Sequence, residues 1–168
     1  MSAAKTIRGP RLFDEETFKA IDDVFACLLE CCTGLDPDDA KSLTQQMLET
    51  GTVTPDMLRH ACSTAAWAMA NLESRYTGVR KISDEEFRSV ERVGLLHELP
   101  QNILSRFQLS PEEQWGIQVL RSNETDWRKS ENRLLKKGLV KSADVTCCAF
   151  LAHQQAELWD GFPSACAK

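Results

Sequence analysis

The sequence lacks any uninterrupted apolar run of the ~18 residues that a membrane-spanning helix needs, so none is expected and the chain should not insert into a bilayer. Its opening stretch, MSAAKTIRGPRLF, has basic residues but no apolar core behind them, so no secretory leader is expected. There is no CxxC, no HExxH and no GxSxG, and no glycine-rich loop follows a strand pattern. The common sequence signals for a zinc site, a metalloprotease, a serine hydrolase and a phosphate-binding loop are therefore missing. Alternation of apolar and polar residues, the mark of a half-buried strand, is nearly absent from Trp127 to Lys168. An excess of positive charge is lacking too: the net charge of −5 argues against bulk attraction to nucleic acid or anionic membrane. The seven cysteines are odd in number and lack the spacing of a secreted scaffold, which points to a reducing, intracellular and cytoplasmic setting.

What is present is a hydrophobic content of 42% in 168 residues, enough for one core and too little chain for two sizeable ones. The strongest pattern is TPDMLRHACSTAAWAMANLESRY, residues 54–76. Thr54 is placed to cap a helix, Pro55 suits its first position, and Val53 and Leu58 flank the cap at staple spacing. Leu58, Ala61, Cys62, Ala65, Met69, Leu72 and Tyr76 recur at steps of three and four, the helical period. The run from Ala65 to Ala70 is apolar all round, as in a helix buried on more than one face, with Trp67 supplying bulk. The fold expected is all-α: a compact bundle of about six to eight short helices around this central one.

Residues 1–12 read as a mobile basic tail, 13–120 as a helical domain, and 121–168 as a helical extension packed on or linked to it. In the domain, Asp14 caps a first helix with Phe13 stapled onto Phe18, and Gly34 stops it. Asp36 and Pro37 open the next, which Gly51 stops. Ser83 and Glu86 form a capping box, Phe87, Val90 and Val93 make a stripe, and Gly94 reads as the stop. Leu96, Leu99, Ile103 and Phe107 suggest a short helix with Pro100 near its start, and Ser110-Pro111 opens another that carries Ile117 and Leu120 inward. Further on, Asn123 or Thr125 caps a helix through Trp127 and Leu134 to Lys136-Lys137-Gly138. Residues 139–144 read as loop or short strand. Val145, Cys148, Ala152, Ala156 and Trp159 fit a last helix, although 145–150 is also acceptable as strand. The expected core comprises Phe18, Phe25, Leu58, Ala65, Trp67, Met69, Leu72, Phe87, Leu99, Ile103 and Phe107.

Chemistry is sparse. Cys27, Cys31 and Cys32 share one helix and Cys147-Cys148 are adjacent; neighbours on a helix point about 100° apart and chelate poorly. These read as small buried hydrophobes. His60, His97 and His153 stand outside any motif, and pairing one of them with Cys62 or an aspartate as a nucleophile would require proximity that sequence does not show. The acids at Asp14, Glu15, Asp36, Asp38, Asp39, Asp84, Glu112 and Glu113 sit in first turns, where the helix dipole accounts for them. No catalytic, cofactor-binding or metal-ligating residue is assigned, and a non-enzymatic protein without a cofactor is expected.

Two resemblances supply functional expectations. The order FDEETFKAIDDVFACLL, TPDMLRHACSTAAWAMANL, EEFRSVERVGLLHELPQNILSRF resembles the N-terminal helical domain of COMM-domain proteins. Phe87, Val90, Gly94-Leu95, Leu99, Ile103 and Phe107 follow that family's phenylalanine, Gly-Leu turn and closing helix, and Asp126-Trp127-Arg128 matches the Trp-Arg that opens the COMM domain. The stretch from Trp127 to Lys168 is short for such a domain. The resemblance implies a scaffold or adaptor that assembles with other proteins, as helical scaffold subunits or a homo-oligomer, in endosomal cargo sorting. The alternative rests on LSPEEQW and RLLKKGLVK, which are similar to parts of winged-helix regulators. Arg121, Arg128, Lys129, Arg133, Lys136, Lys137 and Lys141 there outnumber the acids, with Trp127 interleaved, so the 121–141 segment is a candidate phosphate contact of a DNA-binding transcriptional regulator.

Overall fold

The computed structural model describes residues 21–121, 127–137 and 140–158, and for 127, 128, 130, 131, 140–143, 146 and 158 the backbone alone. The described residues form eight helices and no strand. They are α1 (Ile21–Thr33), α2 (Pro37–Glu49), α3 (Pro55–Tyr76), α4 (Asp84–Leu96), α5 (Gln101–Leu104), α6 (Pro111–Arg121), α7 (Trp127–Lys136) and α8 (Val140–Leu158). The basic tail, the cap at Asp14, Phe18, the caps at Asn123 or Thr125, and Trp159 lie outside the described residues.

Local chemistry sets most boundaries. Asp36 accepts from the Asp38 N–H at 2.9 Å ahead of Pro37, and α2 ends in a turn where Gly51 takes φ 75°, a conformation that costs a glycine little. Thr54 accepts from Met57 N–H at 3.2 Å, with Val53 and Leu58 both buried as the staple across the cap. At α4 the capping box closes in both directions: Glu86 N–H donates to Ser83 Oγ at 3.2 Å, and Ser83 N–H donates to Glu86 Oε2 at 2.8 Å. Arg80, stacked 4.0 Å over the Tyr76 ring, also bonds that carboxylate, and this contact first, with the cap second, brings the Glu86 pKa down to about 2.

α3 lies at the centre, covered by α8 on one side and by α4 and α1 on others, while α8 also packs on α6, α7 and α4. One continuous apolar core runs from Ile21 and Phe25 through Leu58, Leu72, Val93 and Leu99 to Cys148, Phe150 and Ala152. The last helix is thus part of the same core as the central one.

Three sequence readings are corrected. Gly94 is no stop: it lies inside α4, which continues to Leu96. A methyl group there would stand 2.7 Å from Cα and N of Ala65, so the glycine is where α4 crosses α3 backbone to backbone. Consequently Leu96 belongs to α4, and the next helix is the single turn Gln101–Leu104 with Pro100 ahead of it. Residues 140–144 are helical rather than loop or strand, because Asp144 is drawn onto α3, where Tyr76 OH donates to it at 2.5 Å and Arg75 Nε stands 3.2 Å away. Residues 145–150 continue that helix, as the helical reading of Val145, Cys148 and Ala152 expects.

Trp67 and Phe107 are only partly buried against the core, and Trp67 Nε1 is enclosed without a hydrogen-bond partner. A fully buried tryptophan truncated to alanine costs about 3–5 kcal/mol. Because part of this ring faces solvent, Trp67→Ala is expected to cost about 2–3 kcal/mol. A urea midpoint equal to that of the unaltered protein would refute the packing.

Candidate functional site

Polar side chains tie the helices together. Glu113, 1% exposed, sits at the start of α6 in a capping box with Ser110, whose N–H donates to Oε1 at 2.9 Å. Its other oxygen accepts from Arg92 at 2.6 Å and from Ser89 at 2.7 Å, both on α4. Arg92 Nε also donates to the Cys32 carbonyl at 2.8 Å, so one guanidinium joins α1, α4 and α6. On the opposite side, Asn71 of α3 donates to the Cys148 carbonyl at 3.2 Å and to Gln155 at 2.8 Å on α8. The sequence placed Glu113 among first-turn acids, and its burial and its ion pair are visible only in three dimensions. The Ser110-x-x-Glu113 spacing was the available signal.

The cysteines divide by exposure. Cys32, Cys62, Cys147 and Cys148 are buried, as small hydrophobes would be, whereas Cys27 and Cys31 face solvent. Burial, with the neighbouring Glu91 carboxylate, pushes the Cys32 and Cys62 thiols well above the ordinary range, and Cys31 goes up to about 11 through burial and then Cys27. None of these three has the lowered pKa of an activated nucleophile.

The fold brings together what the sequence keeps apart: all three histidines of the chain meet. His60 lies early in α3, His97 caps the C-terminus of α4, and His153 comes from α8. Their ring centroids are 5.2, 4.9 and 5.1 Å apart, each pair edge to face. Glu98 completes the group, and one donor atom from each of the four residues lies within 4.8 Å of the others. His97 is the buried member, 2% exposed. Its Nδ1 is 2.6 Å from the Gly94 carbonyl. A carbonyl only accepts, so Nδ1 carries the proton and Nε2 in the neutral ring presents its lone pair. That Nε2 lies 3.2 Å from Glu98 Oε1 but off the line of a hydrogen bond, and it has no other partner. His60 Nε2 is 3.9 Å from the same oxygen.

Crowding of the rings resists protonation. Burial first, then His97 and His153, brings the His60 pKa down to about 4, and burial with His97 lowers His153 against the pull of Glu157 and Glu98. The His97 contact holds Glu98 below the usual carboxylate range, against its own burial. In metal-free protein the sign follows from linkage. Both histidines bind protons more weakly folded than unfolded, so their share of stability is whole above the unfolded value near 6.5 and declines as pH falls toward about 4. A decline on the order of 2 kcal/mol is expected over that window, allowing for the part-exposure of both rings. Guanidinium unfolding at stepped pH checks it, and a flat profile in chelator-treated protein would contradict the cluster.

The basic segment is distributed over three helices. Arg121 ends α6 and donates to the Leu99 carbonyl at 3.0 Å, so its guanidinium is turned back onto the fold. Lys129, Arg133 and Lys136 lie on α7 with Lys137 just beyond, all exposed, while Lys141 belongs to α8. Trp127 and Arg128 begin α7, and their side chains lie outside the described residues. Leu134 is buried and Leu135, beside it, is 44% exposed. No described helix is long and apolar enough to cross a membrane. No family model matches the chain, and no match was found among curated proteins or solved structures.

Proposed function

We propose that the chain is a non-enzymatic helical adaptor that binds other proteins through the outward side of α7. The observation that carries this reading is the composition of that side. Exposed Lys129, Arg133 and Lys136 make one stripe along α7, Lys137 follows past its end, and an exposed Leu135 lies to one side of that stripe, on a helix held to the body by Leu134 and by its packing on α8. A basic stripe with an exposed leucine beside it suits an acidic, amphipathic partner surface, where the charges steer encounter and the leucine provides contact area. Assembly with related helical subunits in the cytoplasm, serving endosomal cargo sorting, is the specific form that the resemblance to COMM-domain proteins suggests.

The experiment is capture of partners from the native source on the full chain, with a Leu135→Asp/Lys136→Glu variant as comparison. Acidic helical proteins retained by the unaltered chain and lost by the variant support the adaptor. The same basic face favours one second reading, a DNA-binding regulator, in which phosphate contacts release counterions and binding falls steeply with salt. Mobility-shift assays at about 50 mM salt are expected to show no sequence-specific binding, since the overall charge is negative. Tight binding that survives competitor DNA and vanishes in a Lys136→Glu/Lys137→Glu variant would reverse the order of the two readings.

A further inference from the structure

We propose that His60, His97, His153 and Glu98 form a closed four-ligand site for a divalent transition-metal ion of the zinc type, which ties the last helix to the middle of the chain. The inference is independent of the adaptor reading. Its first support is convergence. The three histidines come from three separate helices, they are the only histidines in the chain, and a carboxylate joins them. Packing alone gives no reason to enclose an imidazole nitrogen that has no hydrogen-bond partner. Yet His97 Nε2 is so enclosed, 3.2 Å from Glu98 Oε1 but off the line of a hydrogen bond. A cation seated between the four donor atoms would give this nitrogen a partner.

The arrangement behind His97 favours the cation. A metal-bound histidine generally donates its second ring N–H to a carbonyl or carboxylate, which fixes the tautomer and aims the ligating nitrogen. The Gly94 carbonyl does this for His97. Three neutral imidazoles and one carboxylate are a nitrogen-rich set of intermediate softness, suited to zinc, cobalt, nickel or copper rather than to magnesium or calcium. Four protein ligands leave no open position, as in structural rather than catalytic zinc sites. Around zinc, with bonds of about 2.0–2.1 Å, tetrahedral ligand atoms stand roughly 3.4 Å apart. The 3.2 and 3.9 Å separations already bracket that spacing, and the widest, 4.8 Å, closes by rotation of the partly exposed His60 and His153 rings. The lowered proton affinities of His60 and His153 leave their nitrogens unprotonated at neutral pH, so metal would displace few protons.

The test uses the full chain, stripped with chelator and titrated with Zn²⁺ by calorimetry and with Co²⁺ by visible absorption. One ion per chain is expected, together with the intense visible bands of tetrahedral cobalt, no thiolate charge-transfer band, and a melting temperature that rises with zinc. His60→Ala and His153→Gln, both at partly exposed positions, should each weaken binding at least tenfold and remove the melting shift while keeping helical circular dichroism. Cys27→Ser/Cys31→Ser should change nothing. A readout without variants is carbethoxylation of the unaltered protein, where zinc should shield the histidines together. The proposal is overturned by absence of zinc binding, by binding that persists in the His60→Ala/His153→Gln pair, or by a cobalt spectrum whose thiolate band disappears with Cys27 and Cys31.

Discussion

Gly94→Ala is expected to destabilise the protein by about 2–4 kcal/mol, although alanine is the better helix former by about 1 kcal/mol. The added methyl would meet Cα and N of Ala65 at 2.7 Å and the carbonyl carbon of Thr64 at 2.9 Å, all of them backbone atoms of α3. A flexible side chain could swing away, but two helix backbones can only move apart, opening the packing of Leu58, Cys62 and Val93 around them. The clash is with main chain, so shortening Ala65 to glycine should not restore stability. Urea unfolding of Gly94→Ala alone and with Ala65→Gly separates the cases. Rescue by the second change, or a midpoint raised by helix propensity alone, would show that the helices do not cross there. Because Gly94 also offers the carbonyl that holds His97, the substitution should weaken the histidine cluster as well.

Arg92→Ala is expected to cost about 3–5 kcal/mol, the penalty for leaving a buried charge without its partner. Glu113 is almost wholly enclosed, and Ser89 and the Ser110 N–H cannot replace the lost cation. The guanidinium's bond to the Cys32 carbonyl is lost with it, loosening α1 as well. Replacing both partners by leucine should recover most of the loss, since an apolar pair of similar bulk avoids stranding a charge. A double-mutant cycle in denaturant measures this, and additive costs would mean that the pair is not coupled.

What could be read from the sequence was whatever neighbours in the chain decide. The caps at Asp36, Thr54 and Ser83 need only the next three residues, and each appears where its spacing placed it. Gly51 as a stop is of the same kind, since its positive φ is a local property. Gly94 was misread because a glycine required by a passing backbone looks the same, in sequence, as one required by a turn. The 140–144 stretch was misread because the groups that draw Asp144 inward, Arg75 and Tyr76, lie on another helix. The histidine cluster was out of reach for the same reason. Each ring is alone in its own segment, and only the packing of α8 across α3 and α4 makes neighbours of them. The basic segment was legible as a composition but not as a surface, since Arg121, α7 and Lys141 lie on three helices.

The position of α3 has a consequence for synthesis. Its apolar surface is complete once Tyr76 has been made, yet the helix that covers much of that surface, α8, ends only at Leu158. Translation at roughly 5–20 residues per second leaves that surface uncovered for on the order of ten seconds. During that interval the nascent chain carries the side of α3 that bears Asn71 and Arg75 without its final cover, as a transient binding surface for holding chaperones and a point of vulnerability to premature termination.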